Sequence, residues 1–232
     1  MTDFDATFAQ ADRLEGWLTR DQARALDEMA RTASPGETVV EIGSHHGRST
    51  IVLARGLPEG ARLVAIDPFP PAWRYGGPDT EAVLRANLAS AGVAERVEIR
   101  VATSRAVHAS WSAEVAAVYI DGKHDVVSLR QDLRWSEHVR PHGWLLVHDA
   151  FSSLGVTVGL LSVLPFSRRL RYVGRVGSLA RIEVTRPSLR DRLRPLAEMP
   201  WWLRNLGVKV LLRLRLRGVA RRLGHHDAAD PY

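Results

Sequence analysis

The sequence predicts an α/β fold: a doubly wound, mostly parallel sheet with helices on both faces, followed by an antiparallel hairpin and a basic tail. Three observations predict it. Short apolar runs alternate with helical stretches of roughly 10–15 residues, the rhythm of βαβ units. Those runs carry almost no charge along their length, as strands covered on both faces require. Four of the five then end in acids: Glu41, Asp67, Asp121 and the His148-Asp149 pair. Ligands of open α/β sheets lie at the carboxyl ends of the strands, so these acids mark one candidate crevice.

Taken in order, residues 8–33 read as one or two helices. Leu14, Trp17 and Leu18 recur at helical spacing, Thr19 resembles a helix start before Ala23, Leu26, Met29 and Ala30, and Ser34-Pro35-Gly36 ends the segment. TVVEIG (38–43) is the first strand. STIVLARGL (49–57) is a helix broken by Pro58-Glu59-Gly60, and RLVAIDPF (62–69) is the second strand. A Pro/Gly-rich loop (70–79) leads to an amphipathic helix over 80–93 with a stop at Gly92. VEIRVAT (97–103) and AAVYIDG (116–122) are the third and fourth strands. A helix over 126–139, a turn at Pro141-His142-Gly143, the fifth strand WLLVHDA (144–150) and a helix over 155–164 follow. An antiparallel hairpin around Gly174 and Gly177 fills 170–185. The chain therefore divides into an N-terminal helical segment (1–37), a sheet domain (38–187) and a tail (188–232).

Composition removes several classes. There is no cysteine among the 232 residues, which excludes a disulfide scaffold, a cysteine-zinc site and thiol catalysis. No apolar run approaches the ~18–20 residues of a membrane-spanning helix. The acidic, polar start is unlike a secretory signal, so a cytoplasmic chain is expected. The net charge of +6 is unevenly placed: residues 188–232 hold ten Arg/Lys against four Asp/Glu, while 1–187 hold 22 of each sign. Electrostatic arguments about partners concern the tail alone.

The first strand-to-helix loop, EIGSHHGRST (41–50), is the most informative. Gly43 permits a tight turn and Gly47 lets the helix approach the strand. A dinucleotide site wants G-x-G-x-x-G, whose middle glycine clears room for a pyrophosphate. Here that place is His45, which disfavours a nicotinamide-dependent oxidoreductase. Asp67, at the tip of the second strand, stands where a carboxylate accepts hydrogen bonds from a ribose diol.

EIGSHHGRST, AIDPF, YIDGKH and GWLLVHDAF, in this order, resemble the class I S-adenosylmethionine-dependent methyltransferases. More narrowly, they are similar to a small bacterial branch that includes macrolide-sugar O-methyltransferases and cephalosporin-cluster enzymes. The resemblance spans roughly residues 14–186. It implies a Rossmann-like methyltransferase fold with S-adenosylmethionine as cofactor. Glu41, Gly43, Ser44 and Gly47 would line its methionine and ribose part, with Ser49 and Thr50 near its carboxylate end. Asp67 would hold the ribose hydroxyls, and Thr103 and Ser104 would sit by the adenine. Asp121 and Asp149 match positions that bind a divalent metal in some relatives. His148 replaces an acid there and Ala150 an asparagine, so Mg²⁺ or another divalent cation on Asp121, His148 and Asp149 is an expectation with a departure from the pattern.

His124 is the candidate base. A sugar or alcohol hydroxyl is a poor nucleophile until its proton leaves, and an imidazole of pKa ~6.5 accepts it at neutral pH. The D-x-x-H spacing of Asp121 and His124, after the fourth strand, lets both face the crevice; the alternative is a solvent-exposed histidine at a helix start. Trp73, Arg74 and Tyr75 lie in a loop placed to act as a lid. The expected reaction is O-methylation of a small molecule, sugar or glycolipid; a non-catalytic scaffold of the same shape is the alternative from another class.

The tail segment 199–223 pairs Trp201 and Trp202 with Leu, Val and seven Arg/Lys. Such a segment reads as peripheral membrane contact or partner binding, against a terminal helix docked on the body or a homo-oligomer contact. Nucleic acid is disfavoured, because aliphatic rather than stacking aromatic side chains separate the cations.

Overall fold

The computed structural model describes residues 3–71 and 76–222. Within them the apolar runs become β1 (Thr38–Ile42), β2 (Arg62–Ile66), β3 (Val97–Arg100), β4 (Val115–Ile120), β5 (Val139–Val147), β6 (Leu170–Val176) and β7 (Leu179–Val184). They form one sheet in the order β3-β2-β1-β4-β5-β7-β6. The first five are parallel, and β7 is antiparallel to both β5 and β6. Chain direction across the sheet reverses between β1 and β4, the position at which open α/β sheets leave a crevice.

The helices are α1 (Asp3–Ala11), α2 (Arg20–Ala30), α3 (Arg48–Gly56), α4 (Thr80–Ser90), α5 (Ser104–Ala109), α6 (Val126–Asp132), α7 (Leu154–Val163), α8 (Leu189–Leu193), α9 (Met199–Arg213) and α10 (Arg217–Arg222). Thr19 caps α2 as its sequence indicates: its hydroxyl accepts from the Gln22 amide, and the Gln22 side chain accepts from the Thr19 amide. Strand alternation splits the core into two layers. Val39, Ala117 and Tyr119 pack with Leu26, Ile51, Leu53 and Leu84 on one face. Val40, Val118 and Ile120 pack with Leu129, Trp135, Leu160 and Tyr172 on the other.

Several expectations are corrected. The N-terminal helices start earlier and break apart, leaving Leu14, Trp17 and Leu18 in the connection between α1 and α2. The third strand stops at Arg100, and Thr103 caps the short α5, which the sequence reading did not anticipate. Pro141-His142-Gly143 is a bulge inside β5 rather than a turn before it: Val139 and Trp144 pair with Val115 and Ala117, so the intervening residues arch out, with His142 at φ 62°. The hairpin turns at Gly177, while Gly174 is a bulge within β6. Trp73, Arg74 and Tyr75 lie outside the described residues.

Two glycines let α7 lie against the α6 region. A Cβ on Gly159 would fall 2.6 Å from Leu129 Cδ2, and one on Gly155 would fall 2.2 Å from the His124 carbonyl oxygen. Gly159→Val is therefore expected to lower unfolding stability by about 1–3 kcal/mol through overpacking. Chemical denaturation checks this, and an unchanged midpoint would remove the close approach from the account.

Candidate active site

The sheet aligns its functional residues by carrying the ladder one residue past the strand ends. The amide of Gly43 donates to Ile66 O at 2.9 Å, Asp67 to Arg100 O at 3.2 Å, Asp121 to Ile42 O at 2.8 Å and His148 to Ile120 O at 2.9 Å. Four tips of four strands thus end at one level. Backbone strain gathers there too: His45, Phe69, Asp149 and Phe151 all have φ between 42° and 57°, a region side chains rarely adopt.

Gly43 makes the crevice. Its φ is 88°, and a Cβ there would lie 2.2 Å from the Asp121 carbonyl oxygen, so the β1 turn rests directly on the backbone of the β4 tip. Asp67 ties the same turn from the other side, accepting from the amides of Ser44 (3.0 Å), His45 (3.1 Å) and Phe69 (2.8 Å). A carboxylate has about four lone-pair sites, so Asp67 keeps capacity for a further donor.

Glu41 is fully buried and does not reach the cavity. It accepts from the Ser49 and Thr50 hydroxyls, each at 2.6 Å, and holds the first turn of α3. Burial pushes its pKa up to about 7, against the lowering effect of those hydroxyls. Thr50 is likewise sealed, whereas Ser49 reaches the cavity wall. Thr103 and Ser104 do not line the cavity. Thr103 accepts from the Ala106 amide as a helix cap, and Ser104 accepts from Trp135 Nε1 at 2.8 Å.

The cavity, about 600 Å³, runs from the Gly43–Ser49 loop and Asp67 to Asp121, His124, His148 and Asp149. That is the size of a small-molecule site. One wall is residues 15–18, and Arg48 fastens it. The Arg48 guanidinium donates to the carbonyls of Leu14 (3.1 Å), Gly16 (3.0 Å) and Leu18 (2.9 Å) and pairs with Asp12. Lys209 of α9 completes the far side, donating to Ser152 O at 2.7 Å, while Asn205 donates to Phe151 O at 3.2 Å. The first part of the tail is thus a docked helix. Trp201 and Trp202 rest against the core, with the Arg175 guanidinium 3.6 Å from the Trp201 ring centre.

Two carboxylates and two imidazoles occupy the end of the cavity. His124 Nδ1 lies 3.2 Å from Asp149 and its Nε2 lies 3.5 Å from Asp121; His148 Nδ1 lies 3.4 Å from Asp121 and 3.7 Å from Asp149. Tyr119 donates its hydroxyl to Asp121 at 2.9 Å, and Gln22 of α2 faces His148 Nε2 at 3.4 Å. Burial alone would strip the proton from His148, but Asp121 and Asp149 override it and raise its pKa to about 9. The same carboxylates outweigh burial at His124 and raise it above the usual imidazole value. Burial works to raise Asp121, yet His148 and His124 hold it well below the carboxylate range.

These four groups satisfy one another instead of converging on a common point. Among the described residues no group of three or more His, Asp or Glu has the arrangement of a metal site. The donor set expected to hold a divalent cation, Asp121, His148 and Asp149, is engaged in contacts among its own members and with His124.

The fold is shared with the O-methyltransferase TomG of Streptomyces achromogenes, solved with S-adenosylmethionine (22% identity, TM-score 0.57, covering 80% of this chain and 91% of that one). It is shared with an O-methyltransferase of Bacillus cereus solved with S-adenosylhomocysteine (18%, 0.57, 79% and 89%) and a methyltransferase of Geobacter sulfurreducens (19%, 0.58, 81% and 90%). Residues 40–150 match the family model described as a methyltransferase domain.

The sequence reading missed Arg48, Gly155, Gln22 and Lys209. Only Arg48 carried a signal, its place inside the GRST run; the others act on partners far away in the chain. The sign of the His148 and Asp121 shifts sets a stability window. The His148 contribution is complete below the ordinary imidazole pKa and is lost as pH rises through about 9, whereas the Asp121 contribution is lost only in strong acid. Thermal melts are expected to fall between pH 7 and 10, and less so in His148→Gln; a wild-type melt flat across that range would contradict the pairing.

Proposed function

We propose that the protein is an O-methyltransferase acting on a hydroxyl of a small molecule, sugar or glycolipid, with His124 as general base. One observation carries the reading: His124 stands in the cavity that also holds the Gly43–Asp67 cradle, with Asp149 behind its Nδ1. Carboxylates flank both ring nitrogens, Asp149 at 3.2 Å from Nδ1 and Asp121 at 3.5 Å from Nε2, so the neutral ring can keep its proton towards one and offer the other nitrogen to an acceptor hydroxyl.

The cradle suits S-adenosylmethionine. Asp67 would accept from a ribose hydroxyl with its remaining lone pair, and Gly43 lets the loop that lines the cofactor end sit directly on the Asp121 backbone. Bound there, the cofactor would supply a sulfonium methyl group for transfer to the acceptor oxygen, sulfur keeping the electron pair of the C–S bond. His124 takes the acceptor's proton and later releases it to solvent. Ser44 and Ser49 line the cofactor end, while Trp17, Lys123 and Lys209 line the wall available to the acceptor. The relatives named as O-methyltransferases support the choice of oxygen as the methylated atom.

Titration calorimetry should show saturable S-adenosylmethionine binding that Asp67→Ala weakens at least tenfold; equal affinity would overturn the ribose assignment. His124→Ala should keep that affinity and lose roughly 10²–10⁴ in turnover on acceptor. Because the base must be unprotonated and its pKa is raised, turnover should climb with pH through a midpoint above ~6.5. Turnover should survive exhaustive chelation, and restoration of a lost activity by Mg²⁺ would return the carboxylates to a metal role.

A further inference from the structure

The helix that delivers Lys209 to the cavity has a second face with nothing described upon it. Asn205, Val208 and Lys209 point inward at i, i+3 and i+4. Leu203, Leu206 and Val210, with Leu214 at the helix cap, fall on the opposite side at i, i+3, i+7 and i+11, and all four are exposed, from 44% to 63%. Beyond them Leu216 and Val219 are exposed as well. Arg213, Arg215, Arg217, Arg221 and Arg222 are exposed around this row.

We propose that α9 and α10 form a docking surface for an anionic lipid bilayer. Charge chooses this occupant. Residues 199–222 contain seven Arg/Lys and no Asp or Glu, whereas residues 1–187 are balanced in charge. A second copy meeting this face about a two-fold axis would bring like-charged rows together with no acid from either α9 or α10 to relieve them. An anionic headgroup layer neutralises the rows while its acyl boundary accepts the leucines, the arrangement of interfacial helices. No described helix is long and apolar enough to cross a membrane, so the contact is peripheral. The outer row lies one helix diameter, roughly 10–12 Å, from the cavity wall that Lys209 builds. Taken with the proposed function, on which this clause rests, an acceptor anchored in that bilayer would be methylated where it sits.

The test needs no turnover. Full-length protein is sedimented with vesicles of phosphatidylcholine alone and of phosphatidylcholine with phosphatidylglycerol. Binding is expected to the anionic vesicles only, to fall with salt, to weaken roughly fivefold for each of Arg213→Gln and Arg217→Gln, and to vanish in the Leu206→Glu/Val210→Glu double variant. Calorimetric S-adenosylmethionine affinity equal to wild type in that double variant certifies its fold. Wild-type protein that stays in the supernatant overturns the proposal, as does binding that the double variant retains. A concentration-dependent dimer by light scattering, abolished by the same two glutamates, overturns it in favour of a second copy. Failure of methyl transfer with lipid binding intact would count against the proposed function and leave the surface standing.

Discussion

Everything in the site depends on the level at which the central strands stop. Because Gly43, Asp67, Asp121 and His148 each continue the ladder onto a neighbouring strand, their positions are set by backbone hydrogen bonds and not by loop conformation. The backbone contact of Gly43 on Asp121 then fixes how near the first loop comes to the fourth strand tip. Sites on such rigid elements are positioned more precisely than sites on loops alone. The left-handed residues at the same edge are the conformational cost of turning the chain sharply at that level.

Electrostatics completes what the ladder positions. Two buried or half-buried carboxylates would be expensive side by side, and the imidazoles between them offset that cost. His148 is sealed against Tyr119 and Gln22, with its pKa raised by the carboxylates, whereas His124 is half exposed and opens on the cavity. Two chemically identical side chains thereby differ in exposure and in how strongly the neighbouring carboxylates hold their protons against burial. Gly155 enters indirectly, since its missing side chain is what lets α7 rest on the His124 backbone.

Most of the architecture was legible because its signals are local. Apolar runs, the Thr19 cap and the Gly43 turn are each written within a few residues, and the tip acids follow from strand direction. Glu41 was misplaced although counting by two from Val39 already puts it beneath α3, on the inner face. Thr103 and Ser104 were misjudged because β3 stops three residues early and hands them to a helix cap. Pro141-His142-Gly143 has every local mark of a turn, yet pairing with β4 resumes beyond it, a fact no local rule contains. Gln22 with His148 and Lys209 with Ser152 are separated by 126 and 57 residues, distances over which sequence offers no pattern.

The fastening of residues 12–18 by Arg48 has its own consequence. One planar guanidinium fork grips three peptide oxygens of that connection at once. The rim of the cavity is therefore anchored to α3, the helix whose first turn Glu41 holds from beneath. Mouth and floor share one support, so a change that shifts α3 moves both together.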